Sequence, residues 1–285
     1  MRFFLLLTLF SLSLVEAKLP PKNPGLDAVY GIDDRELVKE TTPQKIQKLA
    51  DSVAMIVSVD NLEIGLLRTT INARSLKDNL NMCVSEKFIT RPSLSACTGF
   101  LVAPDILATA GHCFQSAEDC ASKKIVFDVD SKNQSKNGYI VLSKNVYKCK
   151  EFITSTLSDE QDFALVRLDR SSRRTPLKLS KNVISSSSSI FMIGHPLGLP
   201  LVFTKDSEVS DNSGASIFKT NLDSFEGNSG SPVFNSKTLE VEGILVNGRE
   251  DFVQDPEGEC YRNKTYEGAG GEGVTRIQEL LPFLK

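Results

Sequence analysis

The chain has 285 residues, 40% of them hydrophobic, enough for one large core or two smaller ones. A net charge of -3 and a pI near 5.6 exclude the basic footprint of a nucleic-acid-binding protein. Only two histidines are present, His112 and His195, and none of the six cysteines forms a C-x-x-C pair, so neither a zinc site of the usual kind nor a cofactor is expected.

The N-terminus reads Met1-Arg2, then FFLLLTLFSLSLV, then Glu16-Ala17. A basic start, a short apolar core and a small residue at its end predict a signal peptide over residues 1–17. Its apolar core, about 13 residues, is too short to span a bilayer comfortably; the competing reading is a buried N-terminal helix. The expected location is therefore secreted or periplasmic, with no membrane association after signal cleavage. Six cysteines in an exported chain favour disulfides. Residues 18–45 are Pro-rich and charged, and read as a leader, a propeptide or an extended arm.

From about residue 50 the pattern changes to short apolar runs broken by turns: SVAMIVSV, GFLVAP, ILATA, KIVFDV, GYIVLS, FALVRL, IFMIG, LVF, SPVF and VEGILV. Most are rich in Val, Ile, Leu and Phe, which predicts an all-β sandwich or barrel. Within residues 95–114, GFLVAP and ILATA form two strands paired across a turn at Pro104-Asp105, and His112 follows in A-G-H-C. Cys97 and Cys113 flank this unit. A bridge between them would fix the backbone beside His112 and, in the chain-entropy model, contribute roughly 3 kcal/mol. In SDEQDFALVRLD, Asp162 stands at the mouth of a buried strand, where an acid is otherwise a turn or cap residue. The basic, Ser-rich stretch 170–189 divides the strand-rich chain in two. His195, in IGHPLGLP, reads as a turn residue rather than a second base. Residues 226–234, EGNSGSPVF, surround Ser229 with small, backbone-permissive residues. At the C-terminus, Val274, Ile277, Leu280, Leu281 and Leu284 have the spacing of a short amphipathic helix, distorted by Pro282.

Singly, each polar residue has a bland reading; together, His112, Asp162 and Ser229 match the needs of nucleophilic acyl transfer. A serine needs a base within hydrogen-bond reach. A neutral imidazole takes its proton and returns it to the leaving amine. The carboxylate orients the ring and stabilises the imidazolium. Gly227 and Ser229 are positioned to offer backbone N–H groups to a developing oxyanion.

CTGFLVAPDILATAGHC, DFALVRLD and GNSGSPVF resemble the three signature segments of chymotrypsin-fold serine peptidases, and GNSGSP is similar to the secreted bacterial branch that includes glutamyl endopeptidases. The resemblance covers roughly residues 90–285. It implies two six-stranded antiparallel β-barrels, here 46–172 and 173–285 with the short C-terminal helix, and an active site in the cleft between them. It also implies His112 as general base, Asp162 as its orienter, Ser229 as nucleophile, Gly227 and Ser229 as oxyanion donors, and Cys97–Cys113 as the bridge around the histidine. Protein or peptide substrates and a monomer are expected.

Asn228 stands where animal trypsins have an aspartate that pairs with a freed N-terminal amine. An amide makes no such ion pair, so activity is not expected to depend on that switch. Asp223, followed by Ser224, has the trypsin offset for the base of a specificity pocket selecting Arg or Lys; its alternative is a strand-end aspartate turned away. Leu245 stands where glutamate-specific relatives use histidine, which gives glutamate preference little support. Val246 replaces a serine that supports the acid in many relatives, and Gly248 leaves the pocket mouth open. The backbone of 246–248 is expected to pair with substrate. Proximity of the loop after His112 to the strand before Asp162 favours Cys120–Cys149, which leaves Cys83–Cys260, although four cysteines allow three pairings. Two glycosylation sequons begin at Asn133 and Asn263. The other function class is a catalytically inactive binding protein on the same scaffold. An α/β-hydrolase esterase fails, because Ser231 stands where its motif needs glycine and the residue order is reversed.

Overall fold

The structure, a computed structural model, describes residues 29–268 and 270–284. The expected signal peptide and the leader through residue 28 lie outside the described residues.

Twelve strands make two barrels. The first contains β1 (Val53–Ser58), β2 (Cys97–Ala103), β3 (Ile106–Thr109), β4 (Lys123–Phe127), β5 (Val146–Leu157) and β6 (Asp162–Leu168), closed in the order β4-β5-β6-β3-β2-β1. The second contains β7 (Ser189–Gly194), β8 (Val202–Asp211), β9 (Ile217–Thr220), β10 (Pro232–Asn235), β11 (Val241–Asn247) and β12 (Glu272–Arg276). Its order is β7-β10-β11-β12-β9-β8, closed by pairing of β7 with β8. All these pairings are antiparallel. The hairpin at Pro104-Asp105 forms as expected, with Leu101 opposite Leu107 and Ala103 opposite Ile106.

The apolar runs are continuous, not alternating, because both strand faces are buried. On β7, Ile190 and Met192 join the interior of the second barrel with Phe218, Leu245 and Val274. The alternate residues Phe191 and Ile193 face a joint core that includes Phe100, Leu107 and Leu165 of the first barrel. On β1, Met55 and Val57 pack under a side sheet of Leu62–Ile64, Arg68–Asn72, Gly138–Leu142 and Gln134–Ser135, through Ile71 and Tyr139. The 170–189 stretch crosses between barrels, with Leu177 N donating to Leu101 O and Leu179 bridging to Val241.

Residues 29–38 lie along the second barrel. Val29–Tyr30 pair in parallel with Thr265–Tyr266, and Glu36–Leu37 pair with β8. At the C-terminus Val274 to Arg276 complete β12, and the closing helix is two 3₁₀ turns, Ile277–Glu279 and Leu281–Phe283. Pro282 lacks an N–H, which limits α-helical continuation. Ile277 and Leu280 are fully buried in the joint core. Disulfides join Cys97 to Cys113, Cys120 to Cys149 and Cys83 to Cys260.

Candidate active site

His112 sits on the 3₁₀ turn Gly111–Cys113 that ends β3, and the disulfide from Cys113 ties that turn to the start of β2. Asp162 is the first residue of β6 and is 7% exposed. Its Oδ1 accepts the backbone N–H groups of Gly111 and His112, and its Oδ2 lies 2.7 Å from His112 Nδ1. One oxygen thus caps the turn while the other holds the ring. A carboxylate at Nδ1 selects the tautomer protonated there and leaves Nε2 as the acceptor. Thr275 Oγ1, from β12 of the other barrel, donates to the Asp162 backbone carbonyl at 3.0 Å. Neither the two backbone donors nor Thr275 was identified from the sequence, because a main-chain N–H has no residue signature and Thr275 sits in a stretch that reads as helix.

Ser229 lies on the loop between β9 and β10 and is 5% exposed. Its carbonyl accepts Thr98 N at 2.8 Å and lies 3.8 Å from Cys113 Sγ, so the loop rests against the disulfide beside His112. Among the described residues no hydrogen bond joins Ser229 Oγ to His112; the side-chain hydrogen bond of His112 runs to Asp162. Gly230 has φ +91°, and a Cβ there would stand 2.0 Å from Thr98 O. Gly227 has φ +95°, with His195 O 2.6 Å from the place a Cβ would occupy. Only glycine meets both demands, positive φ and close backbone approach.

Thr98 joins the two barrels at this point, a role the sequence reading missed. Its hydroxyl accepts His195 N at 3.0 Å and donates to Gly227 O at 2.8 Å. The Glu226 carbonyl accepts Leu197 N. Because a trans peptide directs its C=O and N–H oppositely, the Gly227 N–H of that unit faces away from the 195–198 turn. Asn228 is fully buried, and its backbone carbonyl accepts Ser231 N at 2.8 Å. His195 is fully buried, with Nδ1 2.9 Å from Leu199 O, and burial lowers its pKa to about 4. It is a neutral turn residue without access to the cleft.

Asp223 departs from the pocket expectation. It is 3% exposed, and its two oxygens accept Tyr30 N at 2.7 Å and Asp34 N at 3.1 Å. Burial raises its pKa to about 6, opposed by those two N–H groups. The carboxylate anchors the arm and is not presented to a substrate side chain. Ser224 is fully buried as well. Val246 is 2% exposed, so its side chain belongs to the core and only its backbone is available. β10 starts at Pro232, opposite Ile244, and the last link on that side joins Leu245 to Gly230 and Ser231. Among the described residues the edge Val246–Gly248 therefore has no strand neighbour on the side of Ser229.

Two groups of metal-type donors converge among the described residues, Cys97–His112–Cys113 and Cys83–Asp255–Cys260. In both, the sulfurs are held in disulfides and offer no thiolate, so these sets do not suit a metal ion.

The Bacillus subtilis (strain 168) protein named "Extracellular metalloprotease" is 27% identical over 158 residues, covering 54% of this chain and 50% of its own length. The chain thus spans half the length of that curated relative. Among solved structures, a Glu endopeptidase in complex with MPD superposes with TM-score 0.56 at 15% identity, covering 90% of this chain and 97% of its own. The Vibrio cholerae VesB protease superposes with TM-score 0.51 at 14% identity, covering 89% of this chain and 67% of its own. These likenesses show the twin-barrel fold, which is the chymotrypsin-like one. With the profile of the trypsin-like peptidase domain matching residues 97–244, more than half of its length, the chain belongs to the trypsin-like peptidase family.

Proposed function

We propose that this chain is an exported serine endopeptidase that cleaves peptide bonds through His112, Asp162 and Ser229. The observation that carries this reading is the 2.7 Å pairing of His112 Nδ1 with Asp162, on a turn whose disulfide touches the Ser229 backbone. Ser229 Oγ attacks the peptide carbonyl and its proton passes to His112 Nε2. The tetrahedral oxygen takes hydrogen bonds from the N–H groups of Gly227 and Ser229, each typically worth about 3 kcal/mol of transition-state stabilisation. His112 then protonates the leaving amine, and water releases the acyl group by the same steps in reverse roles. The Ser229–His112 hydrogen bond forms on substrate binding, as catalytic contacts often tighten only in the complex. The substrate adds as a strand to the open edge Val246–Gly248.

Specificity after Arg or Lys loses its structural support, because Asp223 is satisfied by the arm. Three disulfides fit an oxidising compartment. Among the described residues no helix is long and apolar enough to cross a membrane.

Hydrolysis of casein and of a randomised peptide mixture tests the proposal. Ser229→Ala should abolish cleavage. Asp162→Asn should lower turnover by about 10⁴, because its amide nitrogen would face His112 Nδ1 and select the wrong tautomer. Full activity in Ser229→Ala, or a loss below tenfold in Asp162→Asn, would refute these roles.

A further inference from the structure

The loop that carries Ser229 runs from Asn221 to Ser231 between β9 and β10 and forms no strand of its own. Its position depends on contacts made one at a time. Thr98 holds Gly227 from the first barrel, and Glu226 N donates to Asp251 Oδ2 at 3.1 Å. β8 and β11 hold the loop's two ends, through Asn221 N to Glu208 O, Gly230 N to Leu245 O and Leu245 N to Ser231 O; the arm adds a grip on its middle. Tyr30 N and Asp34 N hold the Asp223 carboxylate. Next, Arg35 lies with its guanidinium carbon 3.9 Å from the centre of the Phe225 ring and 5.7 Å from that of Phe88. Arg35 is 3% exposed and Phe225 fully buried. Asp33 clamps the guanidinium in two places, at Nε (2.9 Å) and Nη2 (2.7 Å), and Lys87 Nζ lies 3.4 Å from the same carboxylate. The carbonyl of Phe225 accepts Asn228 N at 3.0 Å, closing the turn that presents Gly227 and then Ser229.

A charged group this deeply buried is retained at a desolvation cost unless it is paired and well placed. Here the pairing fixes the guanidinium, whose carbon sits over one face of Phe225. We propose that Arg35 is a positioning residue for the oxyanion turn: clamped by Asp33 and set over the Phe225 ring, it holds Gly227 and Ser229 in the orientation that acylation requires. This rests on the proposed role of Ser229, and it assigns the arm a part in the chemistry beyond packing. The planar fork is what matters, since a lysine ammonium carries the charge without the stacking plane.

Removal of the guanidinium lets the turn drift, and a misplacement of about 1 Å costs on the order of a hundredfold in rate. Arg35→Ala should therefore lower kcat and the second-order rate of Ser229 phosphonylation together, by roughly tenfold to a hundredfold, with KM changed less than threefold. Guanidinium ion at millimolar concentration should restore part of the lost rate in Arg35→Ala and none in Ser229→Ala. Arg35→Lys should fall between parent and Arg35→Ala. Phe225→Leu, which keeps apolar volume but removes the ring face, should reproduce the loss and serves if Arg35→Ala does not fold. Hydrogen exchange of the 223–231 segment should quicken in both variants, a readout independent of the reaction. If the parent is inert but exchange still quickens at 223–231, the bracing stands and the peptidase reading fails. Rates within threefold of the parent and unchanged exchange in both variants would overturn the proposal.

Discussion

Asp34, on the arm, donates its backbone N–H to Asp223, and burial raises both carboxyl pKa values, to about 7 and about 6. For Asp34 the charge of Asp223 is the second cause. Their usual value is 3.8, so between that pH and about 7 the folded protein holds protons that the unfolded chain has released. Linkage then makes stability fall as pH rises through this window. His195 has the opposite sign: its pKa falls from 6.5 to about 4, so its contribution is lost as pH drops through that range. The two oppose each other in the parent, but His195 is common to parent and Asp34→Asn and cancels in their difference. Thermal unfolding should show the two proteins alike near pH 4 and Asp34→Asn higher by a few degrees at pH 8, at about 2–4 °C per kcal/mol for a protein of this size. The same offset at both pH values would contradict the assignment. At this scale the sequence named the side chains proposed to react, because imidazole, carboxylate and hydroxyl each stand in a recognisable local motif. It did not reveal what holds them. The Gly111 and His112 amides on Asp162, the Thr98 hydroxyl on Gly227 and the Arg35 stack on Phe225 arise from chain approaches that no local pattern encodes. Asp223 shows the reverse error, since its offset from Ser229 was legible but its burial under the arm was not.

Among the elements, the strands with continuous apolar runs were legible, because both of their faces are buried and no other element of that length is so uniformly apolar. β5 was not. Its Lys148, Lys150 and Glu151 are exposed and break the apolar run, and its pairing with β6 shifts register twice. The end of the chain misled for a related reason. Val274, Ile277 and Leu280 are spaced for a helix, yet Val274 enters the second barrel from β12, while Ile277 enters the joint core from a 3₁₀ turn and Leu280 from the junction between the two turns. The hairpin of Phe252–Gln254 with Tyr261–Asn263 depends on a different constraint. Its Cys260 is bonded to Cys83, 177 positions earlier in the first half of the chain. A closure of that length restricts the unfolded chain more than the 16-position closure at His112. Replacing Cys83 and Cys260 by serine should lower the unfolding free energy by about 3–5 kcal/mol, measured by denaturant titration, while casein hydrolysis persists. A loss under about 1 kcal/mol would show that the hairpin is held by its hydrogen bonds instead.

In the whole molecule, each barrel supplies what the other lacks. The first presents His112 and Asp162 on a turn tied by a disulfide. The second presents Ser229 on an irregular loop, and the joint core around Phe191, Phe234 and Leu107 fixes the two against each other. Thr98 and Thr275 cross the junction in opposite directions, one to the nucleophile loop and one to Asp162. The arm closes the far side of the loop through Asp223 and Phe225. The barrel packing thus sets His112 and Asp162 of one barrel against the Ser229 loop of the other, and on the proposed mechanism substrate at the edge 246–248 brings the hydroxyl to the imidazole. The direct test is to treat the folded protein with a serine-directed phosphonate and locate the adduct by peptide mapping. A single phosphonyl group on Ser229, with hydrolysis lost in proportion and no adduct in His112→Ala, is the expected result. An unmodified Ser229 in a protein that still cleaves peptides would contradict a nucleophile at this position.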